Sequence, residues 1–119
     1  MKLTNKKMDE CYLALNNISE KTTGKLGYAI ARNLRKLSEE LVEYQSFKDK
    51  IICKYGVEID GTYSIQIGSE AFEKYINEMK EYMTIEHDVQ IFTVTEDEVL
   101  NSDLNAKEML AIDFMIQSG

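Results

Sequence analysis

Between Tyr28 and Tyr55 the chain holds neither glycine nor proline, and no proline occurs anywhere in its 119 residues. Apolar or aromatic residues stand at Leu26, Ile30, Leu34, Leu37, Leu41, Tyr44, Ile51 and Tyr55. From Ile30 the steps run four, three, four, three, and Lys48 takes one further position of the seam. Such a stripe predicts one long helix over about 26–55, packed against another helix. About 30 residues of helix make a rod of roughly 45 Å. The first helical segment is too short to cover it, so the uncovered length predicts a homo-oligomer.

A chain of this size is expected to form a single domain over residues 1–119, with a core that needs no metal or disulfide staple. No apolar run approaches the ~18 residues of a membrane span. The opening MKLTNKKMDECY has lysines but no apolar stretch behind them, so it does not read as a secretory signal. The expectation is a cytoplasmic protein with no membrane partner. Two cysteines, Cys11 and Cys53, agree with a reducing compartment. In a helical hairpin turning near Thr22 to Gly24 they would sit roughly 30 Å apart in height, far beyond disulfide reach.

Charge is unevenly spread. Residues 1–36 carry eight Lys and Arg against three acids, whereas residues 37–119 carry six lysines against eighteen acids. The net charge of −7 argues against broad nucleic-acid binding. The basic end still offers a local anion site. Lys25, Arg32, Arg35 and Lys36, with Tyr28 among them, are the candidate binding residues, suited to a small phosphate-bearing nucleotide held by charge and stacking. The same residues suit the acidic half of a neighbouring copy, or they are solvated charge on a helix face.

Residues 4–18 predict a first helix, with Met8, Cys11, Tyr12, Leu15 and Ile18 on one side and Thr4 or Asn5 as its cap. Ser19 to Gly27 reads as a polar turn. Gly56 reads as the stop of the long helix, in the left-handed conformation that glycine tolerates. Asp60-Gly61 between alternating stretches predicts a hairpin with strands near 57–60 and 62–67. Ser69 caps a helix over about 70–83, lined by Phe72, Ile76, Met79 and Met83 and bordered by Tyr75 and Tyr82. Residues 86–94, EHDVQIFTV, alternate as a third strand. Thr95 with Glu98 and Asn105 with Glu108 have capping-box spacing, and Leu104 with Met109 fits a hydrophobic staple, which predicts a final helix over about 106–116.

Motifs of catalysis are missing. His87 has no second histidine or nearby cysteine with which to build a metal site. No phosphate loop, nucleophile elbow, HExxH or CxxC occurs. Glu96-Asp97-Glu98 lacks the spaced oxygens of a calcium loop and reads as a helix start favoured by the macrodipole. Neither an enzyme nor a bound cofactor or metal is expected. The seven tyrosines and six methionines suit either an adaptable interface or plain core filling.

The strings ALNNIS, GYAIARNLRKLSEELVEY, KYG, EAFEKYINEM, EHDVQI and LNAKEMLAIDFMI resemble, in that order, a family of small phage and prophage proteins of unknown function. Members often have a proline in the loop before the long helix, where this chain reads KTTGKLGYAI. The resemblance carries over no catalytic residue. It implies a host or phage protein as partner. One role is to bind or inhibit a host protein, defence proteins included, or to sequester a signalling nucleotide. The other is virion or tail assembly. Together these readings give an α+β domain: a helical hairpin with one long helix, a small antiparallel sheet of hairpin plus third strand, and two further helices. The expected activity is non-catalytic binding.

Overall fold

A computed structural model describes residues 1–117. The α+β expectation holds. Strand β1 (Lys2–Thr4) leads directly into helix α1 (Asn5–Ile18). Thr4 caps it, its Oγ1 accepting from the Lys7 N–H at 3.1 Å. Met8, Cys11, Leu15 and Ile18 are buried at helical spacing. A 3₁₀ turn, Ser19–Lys21, reverses the chain into α2 (Gly24–Glu40). Here Gly27 is demanded by close approach, since a Cβ would stand 2.8 Å from the Thr22 carbonyl oxygen.

The long helix is interrupted. Helix α2 ends at Glu40, and α3 (Val42–Tyr55) begins after Leu41, whose ψ of −3° lies well off the helical value. Hydrogen bonds from Leu41 N to Leu37 O (2.9 Å) and from Gln45 N to Leu41 O (2.8 Å) bridge the break. The break falls where the partners change. Helix α2 lies on α1, while α3 lies on α4 (Glu70–Met83) and the hairpin after it. Helix α4 thus covers the half of the rod that α1 touches at its early turns through Asp9. Leu26, Ile30, Leu37, Leu41, Tyr44 and Ile51 are all buried inside the fold, which removes the length argument for self-association.

The hairpin forms where Asp60-Gly61 predicts it. Strands β2 (Val57–Ile59) and β3 (Thr62–Ser64) pair antiparallel, with φ of +52° at Asp60 and +81° at Gly61, as a two-residue turn of type I′ requires. Gly56 stops α3 for another reason than the one expected. Its φ is −83° and its ψ 168°, an extended conformation. What excludes a side chain is crowding: a Cβ would stand 2.5 Å from the Ile52 carbonyl oxygen and 2.9 Å from that of Ser64.

The hairpin gains no third strand, because residues 86–94 divide between two other ladders. Strand β4 (Glu86–Asp88) pairs antiparallel with β1, and β5 (Val94–Thr95) pairs parallel with β6 (Ile116–Gln117). Between β4 and β5 a buried side chain replaces a neighbouring strand. Asn33 of α2 accepts from the Phe92 N–H (2.7 Å) and donates to the Phe92 carbonyl (2.9 Å). The same amide approaches Met115 Sδ at 3.6 Å.

Both capping boxes form, at the starts of α5 (Glu96–Leu100) and α6 (Ala106–Ala111). Ser69 caps α4, accepting from the Phe72 N–H at 3.1 Å. Tyr75, expected to border the core, lies inside it. The last helix is shorter than the predicted 106–116. After Ala111 a 3₁₀ turn, Asp113–Met115, unwinds the chain so that Ile112 and Met115 stay buried while Ile116 reaches Val94.

Candidate functional site

The five sequence candidates share one side of α2: Lys25, Tyr28, Arg32 and Arg35 follow at steps of three or four, and Lys36 stands four after Arg32. The structure divides them by role. Lys25 and Tyr28 line a cavity of about 430 Å³ with Gly24, Phe92, Val94 and Glu98. Tyr28 meets Phe92 edge to face, with ring centroids 5.7 Å apart and planes at 76°. Arg32 and Arg35 are exposed further along the rod and do not line this cavity. Lys36 is half-buried and donates to the Gln90 carbonyl at 2.7 Å, pinning the segment after β4. Sequence reasoning missed Phe92 and Glu98. The alternation of EHDVQIFTV sets Phe92 on the face opposite Val89 and Ile91, but nothing in it shows that this face meets α2. Glu98 brings a carboxylate into the cavity, which works against an anion there.

A second surface stands at the other end of the rod. Cross-strand pairing puts Val57 with Ser64 and Ile59 with Thr62, while Glu58 opposes Tyr63 on the reverse face. Tyr63 OH donates to Glu58 Oε2 at 3.3 Å, and Ile65 beyond it packs on the core. The opposite face is open. Val57 is 66 % and Ile59 62 % exposed, and Ile67 just past the ribbon is 82 % exposed. Among the described residues, strands β2 and β3 pair only with each other, which leaves each a free edge there.

The base of this ribbon is anchored by a polar cluster. Lys54 Nζ lies 2.6 Å from Glu78 Oε1, and Tyr55 OH donates to the same oxygen. The hydrogen bonds from Lys54 and then Tyr55 hold the Glu78 carboxyl below its ordinary value, and the bond to Glu78 raises the Lys54 ammonium. Elsewhere, burial pushes the Cys11 thiol up, so it stays protonated and unreactive. Cys53 is exposed, and both cysteines are free.

Among the described residues no group of three His, Cys, Asp or Glu side chains is placed to hold a metal ion. Nor is any helix among them long and apolar enough to cross a membrane. No protein-family model, curated protein or solved structure matches the chain. Fold and surface together define an α+β domain built on a kinked helical rod, with a projecting apolar ribbon at one end and a basic, aromatic face at the other.

Proposed function

We propose that this chain is a non-catalytic accessory protein that acts by binding another protein. The observation that carries this reading is the open face of the β2–β3 ribbon, with Val57 and Ile59 in solvent and Ile67 exposed in the turn beyond it. Apolar side chains beside unpaired strand edges suit capture of an extended segment: the backbone extends the ladder and alternate side chains meet Val57 and Ile59. The resemblance to small phage proteins makes a host protein the first partner to seek, with a virion or tail component as the alternative. A pull-down from host lysate, with and without infection, compares the natural chain with the Val57→Lys/Ile59→Lys variant. Both positions are exposed, so the variant keeps its thermal transition. The expected result is one stoichiometric partner that the variant loses. A partner retained by the variant would move the interface elsewhere, and the absence of any partner would count against the binding reading itself.

The cavity beside Tyr28 supports a second reading, a sponge for a phosphate-bearing nucleotide. Lys25 with the Tyr28–Phe92 pair supplies charge and a stacking surface. Glu98 at the same cavity opposes it, so it ranks below protein capture. Ligand-dependent thermal stabilisation that disappears in Lys25→Ala and persists in Arg35→Ala is its signature.

A further inference from the structure

The junction of α2 and α3 borders a different pocket, of about 420 Å³. Its apolar walls are Tyr44, Phe47, Tyr82 and Ile85. Phe47 and Tyr82 stack with centroids 5.3 Å apart and planes at 17°, which fixes that wall. Glu39, Glu40 and Glu43 also line the pocket. Glu40 lies 3.6 Å from the ring of His87, but Glu39 and Glu43 have no ion-pair partner among the described residues. These two flank the break at Leu41 and line the same pocket, so like charges meet there without a cation between them.

A buried amide supplies the independent sign of a ligand. Asn5 is 5 % exposed and lines this pocket. Its Nδ2 donates to the Tyr82 carbonyl at 2.8 Å. Its Oδ1 has no hydrogen-bond partner among the described residues. The pocket thus joins an unsatisfied acceptor, closed to solvent in this structure, with unpaired carboxylates, a combination that suits a ligand rich in N–H donors and positive charge. The carboxylates do not converge as metal ligands do. Diffuse negative charge around aromatic walls fits a larger cation with an apolar body. Phe47 already takes an ammonium from this chain, since Lys50 Nζ stands 5.1 Å from its centroid. Lys50 itself does not line the pocket.

We infer that this pocket binds an amphipathic organic cation, an alkylammonium or guanidinium whose stem lies against Phe47, Tyr82 and Ile85 and whose charge meets Glu39 and Glu43. Such a group comes either as a free amine or as a Lys or Arg side chain of a peptide. The test is an NMR titration of the full chain with 1-hexylamine, 1-hexanol and a short acetylated peptide containing Lys and Arg. Saturable shifts at Phe47, Tyr82, Ile85 and His87 are expected with hexylamine, the peptide or both, and not with hexanol. Hexylamine alone assigns the site to free amines, and the peptide alone assigns it to a protein side chain. The Glu39→Gln/Glu43→Gln variant changes exposed positions only, keeps the fold, and binds roughly tenfold more weakly, as loss of a charge-assisted contact implies. The inference is overturned if neither cation gives saturable shifts there, if hexanol binds equally well, or if the double variant binds as the natural chain does.

Discussion

Helix α2 buries Leu26, Ala29, Ile30, Asn33 and Leu37, whereas α3, continuing the same stripe, buries only Tyr44 and Ile51. The first half of the rod is gripped on several sides, by α1, β5 and α5. It carries the polar clasp of Asn33 within its buried face. The second half lies on α4 and the hairpin and is tied at its edges. Gln45 and Lys48 reach back to Asp9 at 3.0 and 3.6 Å, Phe47 stacks on Tyr82, and Lys54 and Tyr55 hold Glu78. A repeating stripe therefore does not ensure uniform burial; what each half meets decides how firmly it is held. The weakly buried half carries the open ribbon and borders the acidic, aromatic pocket, so both proposed sites lie where the rod is less firmly held.

The sharpest way to break this comparison is Asn33→Leu. The substitution keeps the branched shape, adds bulk at a fully buried site, and leaves the Phe92 N–H and carbonyl without their partner. The orphaned groups are part-buried, each costs up to about 1–3 kcal/mol, and with the added bulk a total of roughly 3 kcal/mol is expected in urea denaturation. Hydrogen exchange at Phe92 should accelerate in parallel. Ile51→Ala, in the weaker half, is expected to cost about 2 kcal/mol, the low end for a buried isoleucine. If Ile51→Ala proves the more costly change, the ranking of the two halves is reversed.

Gly56→Ala tests the hinge between rod and ribbon. The new methyl meets the Ile52 and Ser64 carbonyl oxygens, and both are backbone, so the ribbon must move. The expected cost is about 2 kcal/mol, typical of forced overpacking. Cross-strand NMR contacts between Val57 and Ser64 should weaken while those of α1 with α2 persist. Loss of both sets at once would show that the ribbon and the core unfold as one unit.

The features legible in the sequence are those whose causes lie within a few residues. Thr4, Ser69, the two capping boxes and Asp60-Gly61 act where the sequence puts them, because a cap or a type I′ turn is decided locally. The role of Asn33 is not legible in the sequence, because it is a polar residue beside an apolar stripe and its partner lies 59 residues further on. Strand β1 is three residues long and exists only through β4. The final helix is shorter than its pattern predicts because helical spacing at Ile112 and Met115 also suits a 3₁₀ turn feeding a parallel bridge. The candidate site was half legible. Lys25 and Tyr28 share a cavity, but the Phe92 that completes it comes from another segment. Glu39 and Glu43 read as solvated helix faces until α4 and Asn5 are set beside them.

The smallest expected effect concerns the edge ties of the second half. Glu78 is held below its ordinary value of 4.5 by Lys54 and then Tyr55. A carboxylate with a lowered folded value favours the folded state at pH values above 4.5, and that contribution is lost as pH falls through the lowered value. Lys54 has the opposite sign. Its raised value favours the fold below 10.5 and ceases to do so as pH rises through the raised value. Both groups are solvent-exposed, so screening by water and salt keeps the effect small. In Lys54→Met the thermal midpoint should therefore depend less on pH in both limbs, with Tyr55 alone still favouring ionised Glu78. The Asn33 clasp contains no titrating group, so its contribution should not vary with pH across either limb. Unchanged pH dependence in Lys54→Met would mean that the edge tie adds nothing measurable, leaving the second half held by Tyr44, Ile51 and the Phe47–Tyr82 stack.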